Sequence, residues 1–290
     1  MKQILDHIVQ QLSRQFNQLV QIQKQTQVFG GDINKTFHLK TNIGAFFLKL
    51  NDGSLKDMFE KEFTGLQQLH QTKTIKIPEV VLHGNFGNEI FLVTEFIQQS
   101  NPSKHFWQTF AYNLAALHRQ SNAEFGLSTD NYIGSLHQQN NFCNTWSEFY
   151  ASQRILPLVR KAFDENKLTI SDVKLAEKLC TRFYNLFAEE KPALVHGDLW
   201  SGNFMCNKDG EAVVFDPAVY YGNREMDIGL SLLFGGFDTR FYDYYNDAFP
   251  LQPNWKDRVK LCQFYPLLVH LVLFGGQYYN KVADIIKQYQ

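Results

Sequence analysis

The period of the apolar residues changes once along this chain, and that change limits the architectures open to it. Ile4, Leu5, Ile8, Val9, Leu12 and Phe16 recur at helical spacing and predict an amphipathic helix near residues 2–16. From Leu19 to Leu50 the runs become short and β-like, broken by the turn-rich Phe29-Gly30-Gly31-Asp32-Ile33-Asn34. Residues 55–70 return to helix, with Leu55, Met58, Phe59, Phe63, Leu66 and Leu69 on one side. Two further strands follow, at Glu79–His83 and Ile90–Glu95. Beyond residue 98 helical spacing dominates, at about 104–119, 145–163, 171–188, 225–234 and 256–289. One β-like exception is expected at Phe204–Phe215, where Asn207-Lys208-Asp209-Gly210 offers a hairpin turn. The Phe and Tyr run at 234–249 reads as core. The expected class is therefore α+β: an antiparallel β-rich lobe over residues 1–97 with one internal helix, then a mainly helical lobe over 98–290. Gln98-Gln99-Ser100-Asn101-Pro102-Ser103 marks the boundary.

Composition narrows the function classes. A chain of 290 residues with 44% apolar and 20% charged residues can build a full core without staples. The formal net charge of −1 argues against nucleic acid or an anionic membrane as the main partner. The most apolar run, Pro266 to Phe274, is too short to span a bilayer. Cys143, Cys180, Cys206 and Cys262 have neither disulfide-framework nor zinc spacing, which fits a reducing compartment. Together with an N-terminus lacking a signal-peptide core, this leads us to expect a cytoplasmic protein.

The strongest chemical signal is Val195-His196-Gly197-Asp198-Leu199-Trp200-Ser201-Gly202-Asn203, followed by Val213-Val214-Phe215-Asp216-Pro217. Phosphoryl transfer needs a carboxylate near the attacking hydroxyl and oxygen ligands for magnesium. Asp198 suits the first role, and Asn203 and Asp216 the second. Each of these residue types also caps ordinary turns, and only the full spacing across a hairpin favours chemistry. Lys49 stands among apolar strand neighbours. Glu62 lies on the apolar stripe of the 55–70 helix, where an unpaired carboxylate is costly. Each is the natural partner of the other, with Lys49 then reaching ATP phosphates. Gly31, Asp32, Ile33 and Asn34 occupy a flexible turn where backbone N–H groups can approach phosphate, although a plain hairpin turn has the same composition. Glu95, Phe96 and Ile97 end the last strand of the first lobe, where backbone groups can meet an adenine edge, although a plain buried strand has the same pattern. Asp227 could bond the backbone of the 196–203 loop, or simply face a helix dipole. His196 could orient that loop from beneath, and His118, following Leu114 and Leu117, reads as a packing residue.

These segments, with Tyr220-Tyr221-Gly222-Asn223-Arg224-Glu225-Met226-Asp227, Phe234-Gly235-Gly236 and Leu273-Phe274-Gly275-Gly276-Gln277, resemble the fructosamine kinase (ketosamine kinase) family nearly end to end. That family is a branch of the two-lobed protein-kinase-like fold near the aminoglycoside phosphotransferases. The resemblance implies ATP and Mg2+ as cofactors, Lys49 paired with Glu62 on the phosphates, and adenine held by the backbone of Glu95 to Ile97. It further implies Asp198 as proton acceptor and Asn203 and Asp216 on magnesium. The implied substrate is a ketosamine, free or on protein lysines, whose phosphorylation reverses early glycation. Trp200 and Arg224 are the candidates for the acceptor side, through an aromatic face and a guanidinium, each with a structural role as the alternative. Only a short segment separates Asp216 from Asp227, so control by an activation loop is not expected. The turn at 28–36 contains no cysteine, so neither is redox control there. Two other readings stay open: a kinase of aminoglycoside or choline type, and a pseudokinase that binds ATP without catalysis. The complete set of Lys49, Glu62, Asp198, Asn203 and Asp216 argues against the second.

Overall fold

The structure, a computed structural model, describes residues 1–28 and 33–289. The chain divides into two compact units, Met1–Ser103 with Phe204–Asp216, and Lys104–Asn203 with Pro217–Gln290. The apolar segment 204–216, drawn from the middle of the helical half, thus groups with the β-rich unit.

In the first unit α1 (Lys2–Gln15) precedes β1 (Ile22–Val28), β2 (Lys35–Thr41) and β3 (Ala45–Asp52), and α2 (Met58–Gln71) precedes β4 (Val80–Phe86) and β5 (Glu89–Glu95). The five strands form one antiparallel sheet in the order β1-β2-β3-β5-β4. Strand alternation sorts the side chains between the two faces. Phe46, Leu48 and Leu50 of β3 join Phe37, Leu39, Phe91 and Val93 in a cluster closed by Ile4, Ile8 and Leu12 of α1. Lys49 therefore falls on the opposite face. The edge strand β1 carries Gln23, Lys24, Gln25 and Gln27, a polar edge that resists further strand pairing.

The second unit begins with α3 (Phe106–His118) and the hairpin β6 (Asn131–Ile133) and β7 (Leu136–Gln138). The helix expected at 145–163 consists of α4 (Trp146–Phe149), a π-helical turn at Tyr150–Ile155 and α5 (Leu156–Asp164), and α6 (Ile170–Leu186) follows. Next come β8 (Ala193–Val195), the hairpin β9 (Phe204–Cys206) and β10 (Ala212–Val214) of the first unit, and β11 (Tyr220–Gly222), which pairs with β8. The chain ends with α7 (Glu225–Leu233), α8 (Thr239–Ala248), α9 (Trp255–Phe274) and α10 (Tyr279–Gln288).

Four expectations need correction. The hairpin at 204–214 is not the single β exception, because β6 pairs with β7 and β8 with β11. These three-residue strands are too short for alternation to register. Of the aromatic run at 234–249 only Phe241 and Tyr245 are buried, and the run contains an unexpected helix, α8, whose start is capped by Asp238 accepting from the Arg240 N–H. The expected helix at 256–289 is two helices, parted at Gly275, where φ is +91°. A π-helical turn interrupts the helix at 145–163 and carries Arg154, which is fully buried. Among the described residues no helix is long and apolar enough to cross a membrane.

Candidate active site

Lys49, Glu62 and Asp216 meet in the first unit. Lys49 Nζ donates to Glu62 Oε1 at 2.6 Å and also to Asp216 Oδ1. Its side chain is 6% exposed, that of Glu62 13% and that of Asp216 41%, so a buried ammonium and carboxylate are joined by a carboxylate that still reaches solvent. Burial alone would push the Lys49 ammonium down, but Asp216 and Glu62 together outweigh it and raise its pKa above that of ordinary lysine. Burial lifts the Glu62 carboxyl in spite of Lys49. Asp216 follows β10 with φ +56°, a left-handed conformation uncommon outside glycine that turns the chain sharply as it leaves the unit.

Asn51, two residues beyond Lys49, donates to Ile33 O at 3.2 Å and to Asn34 Oδ1 at 2.7 Å, tying Ile33 and Asn34 to β3. Gly31 and Asp32 lie outside the described residues. At the end of β5 the Phe96 N–H donates to Ala45 O and the Glu95 N–H to Glu79 O. Those two donors are taken up by the fold. The Glu95 carbonyl accepts from Thr94 Oγ1 at 3.1 Å and keeps a second lone pair. A feature unnoticed in the sequence is His38, which stacks on Phe96 at 3.8 Å between ring centroids.

The second unit brings together Asp198, Asn203, His196 and Asp227. Asn203 Nδ2 donates to both Asp198 O and Asp198 Oδ2, each at 2.9 Å, so its amide oxygen is the lone-pair atom of that side chain. Asp227 accepts from the His196 N–H at 2.7 Å and the Gly197 N–H at 2.9 Å, one carboxylate oxygen to each. The Asp198 N–H donates to His196 Nδ1 at 3.3 Å, so that ring nitrogen is the acceptor. Gly197 has φ +83°, and a Cβ there would stand 2.0 Å from Ala218 O, so the loop needs glycine on both counts.

Behind Asp227 stands a network absent from the sequence reading. His118 Nε2 donates to Asp227 Oδ2 at 3.1 Å, the only direction a carboxylate allows, and His118 Nδ1 bonds Tyr245 Oη at 2.7 Å. The argument that paired Glu62 with Lys49 would have found it, since His118 extends the buried stripe of Phe110, Leu114 and Leu117. Burial alone would raise the Asp227 carboxyl, but His118, His196 and their hydrogen bonds hold it below the ordinary value of 3.8. A carboxyl depressed in the folded state adds stability that is complete above 3.8 and withdrawn as the pH falls through the lower folded value. Asp227→Asn is accordingly expected to lower stability at neutral pH by about 3 kcal/mol, since an amide cannot accept all three hydrogen bonds. Its deficit should shrink in acid as wild type loses the same contribution. Denaturant titrations at pH 7 and pH 3 check this, and a deficit that does not change with pH would contradict the assignment.

Arg224 requires a correction. It is 2% exposed, its Nε and Nη2 grip Glu190, and Nη1 and Nη2 donate to the Phe249 and Pro250 carbonyls. Its guanidinium also lies 3.7 Å from the Phe249 ring centroid. With its donors consumed inside the unit, it ties α7 to the segment after α8 and has none to offer an acceptor. Trp200 is half-buried, edge-on to Phe234 at 5.8 Å. Next to Asp198 opens a small cleft lined by Ile133, Met226, Leu230, Tyr265, Val269 and His270.

Asp216 and Asn203 each present a hard oxygen donor of the kind magnesium takes. Among the described residues no group of three or more His, Cys, Asp or Glu side chains could hold a metal.

The chain is similar to known proteins in sequence and in fold. The family model described as fructosamine kinase matches residues 4–290. A probable ketoamine kinase of Enterococcus faecium is 37% identical over 264 residues, covering 90% of this chain and 94% of that protein. The crystal structure of a candidate fructosamine-3-kinase from Thermobifida fusca YX-ER1 superposes with a TM-score of 0.86 at 32% identity, over 97% of each chain. An aminoglycoside phosphotransferase, at 16% identity and a TM-score of 0.63 over 98% of each chain, shares the protein-kinase-like fold.

Proposed function

The chain belongs to the fructosamine kinase family, and from that premise we propose that it transfers the γ-phosphoryl group of ATP to a sugar hydroxyl of a ketosamine. It is a phosphotransferase. The observation that carries the finer reading is the pairing of Lys49 with both Glu62 and Asp216 on one face of the sheet. Glu62 fixes the ammonium, which meets the ATP phosphates. Residues 1–97 form the nucleotide-binding part, with Gly31, Asp32, Ile33 and Asn34 contributing to phosphate binding and the Glu95–Ile97 backbone meeting adenine. Since the Glu95 and Phe96 N–H groups are already bonded, the Ile97 N–H and the Glu95 carbonyl are the groups left for the base.

Residues 98–290 supply the acceptor side and the proton acceptor. Asn203 holds the Asp198 carboxylate by Oδ2, so that it meets the acceptor hydroxyl in one orientation. As the hydroxyl oxygen bonds to the γ-phosphorus, the bond from that phosphorus to its bridging oxygen breaks. Asp198 takes the proton and ADP leaves. Asp216 and the Asn203 amide oxygen would hold Mg2+, which neutralises charge on the phosphates. Asp227 acts through the backbone at His196 and Gly197 and is a positioning residue. Trp200 offers its ring to the sugar. The four cysteines are free and buried, in keeping with a cytoplasmic enzyme acting on glycated amines, free or on protein lysines.

The test is a turnover panel of fructose-lysine, ribulose-lysine, an aminoglycoside and choline with Mg-ATP. One of the two ketosamines is expected to exceed the others in kcat/KM by about a hundredfold or more. Equal or faster turnover of the aminoglycoside or choline would move the substrate to that class. No phosphoryl transfer to any of them would refute the reading.

A further inference from the structure

The segments Phe234-Gly235-Gly236 and Phe274-Gly275-Gly276 have no part in the phosphoryl-transfer machinery, yet the rings of Phe234 and Phe274 both pack against His270, which lines the cleft beside Asp198. Phe234 caps the C-terminus of α7 and Phe274 ends α9, and each is followed by glycine at positive φ, +72° at Gly235 and +91° at Gly275. The turn after Phe234 packs on the catalytic loop so closely that a Cβ at Gly236 would stand 2.4 Å from Ser201 Cβ. His270, which lines the cleft with Asp198, joins the two ends. Its ring centroid is 4.9 Å from that of Phe234, 5.4 Å from Phe274 and 5.0 Å from Tyr278. A continuous strip of rings thus runs from the cleft to solvent, where Phe234 is 36% and Phe274 41% exposed.

We propose that this strip, Phe234, His270, Phe274 and Tyr278, binds the amine side of the acceptor: the secondary ammonium and the hydrocarbon chain it carries. The inference rests on the ketosamine reading above. A ketosamine is a polyol joined through an ammonium to a carrier chain. Ring faces attract a cation, and ring area shelters hydrocarbon, whereas a polyol needs hydrogen-bond partners that Phe side chains lack. His270 is suited to such a neighbour. Its Nδ1 donates to Pro266 O at 2.7 Å, which leaves a lone pair on Nε2, and burial lowers its pKa so that the ring stays uncharged at neutral pH. The rings of the strip thus carry no positive charge themselves, with Lys281 the nearby cation that, after burial, also lowers the His270 pKa.

The experiment compares kcat/KM for the fructose adducts of hexylamine and methylamine, in wild type and in the Phe234→Ala/Phe274→Ala double variant. Wild type is expected to favour the hexylamine adduct about tenfold, the effect of sheltering about two methylene groups. In the variant the ratio should fall to about twofold or less. Thermal unfolding reports whether the double variant folds, and Phe274→Ala alone, at an exposed helix end, replaces it if not. A wild-type ratio near one, or a ratio unchanged in a folded variant, overturns the strip while leaving the ketosamine reading intact. Failure of wild type to phosphorylate either adduct overturns both.

Discussion

Asp198→Ala is expected to lower kcat by about 10²–10⁴-fold, the contribution of one positioned proton acceptor, while nucleotide affinity stays within about twofold of wild type. The separation follows from where the contacts lie. Asp198 is held by Asn203 and His196 within the second unit, whereas Lys49, Glu62 and Asp216 bond one another within the first. Asp198→Asn sharpens the test, because it keeps the side-chain shape and an oxygen for Asn203 but removes the basic carboxylate. Single-turnover assays with saturating Mg-ATP would read the chemical step directly. A rate within a few-fold of wild type in either variant would remove Asp198 from the mechanism. A loss of nucleotide binding equal to the loss of rate would instead make its role structural.

Lys49→Met should reduce kcat/KM and also destabilise the protein, and the pH dependence of the second effect identifies its cause. In wild type the Lys49 pKa is raised, so the stability it contributes is complete below the ordinary value of 10.5 and is lost only as the pH rises through the higher folded value. The triad is therefore insensitive to pH around neutrality on the lysine side. Without the ammonium, Glu62 remains buried with Asp216 beside it, and burial and repulsion both raise its folded pKa further. A carboxyl raised in the folded state costs stability as the pH climbs from its ordinary 4.5 through the folded value. The deficit of Lys49→Met is thus expected to be about 3 kcal/mol near neutrality, the cost of orphaning one member of a buried pair, and smaller near pH 5. Adding Glu62→Gln should recover part of it. Chemical denaturation of the three proteins at both pH values measures this. A Lys49→Met protein as stable as wild type at neutrality would contradict the pairing.

Legibility from sequence followed the length of the signal. Helices α1, α2, α3 and α6 run for 14, 14, 13 and 17 residues, enough for several turns of apolar repeat, and each lies within a few residues of its expected place. The strands β6, β7, β8 and β11 span three residues each and exist because a partner is presented to them, not because of a pattern of their own. The same divide runs through the candidate site. The contact between Lys49 and Glu62 was legible because two costly charges on apolar faces have few ways to be satisfied.

What the sequence determined by itself was the order and type of the long elements, and a short set of polar residues that a buried position obliges to find partners. Tertiary structure alone decided which partners those are. His118 meets Asp227 across 109 residues and Tyr245 across 127, and no local rule fixes so distant a pairing. Arg224 shows the converse, since its residue type permits anion binding while three-dimensional packing gives its hydrogen-bond donors to Glu190 and two carbonyls. A side chain's chemistry travels with the sequence, but the availability of its donors and acceptors is a property of the folded neighbourhood.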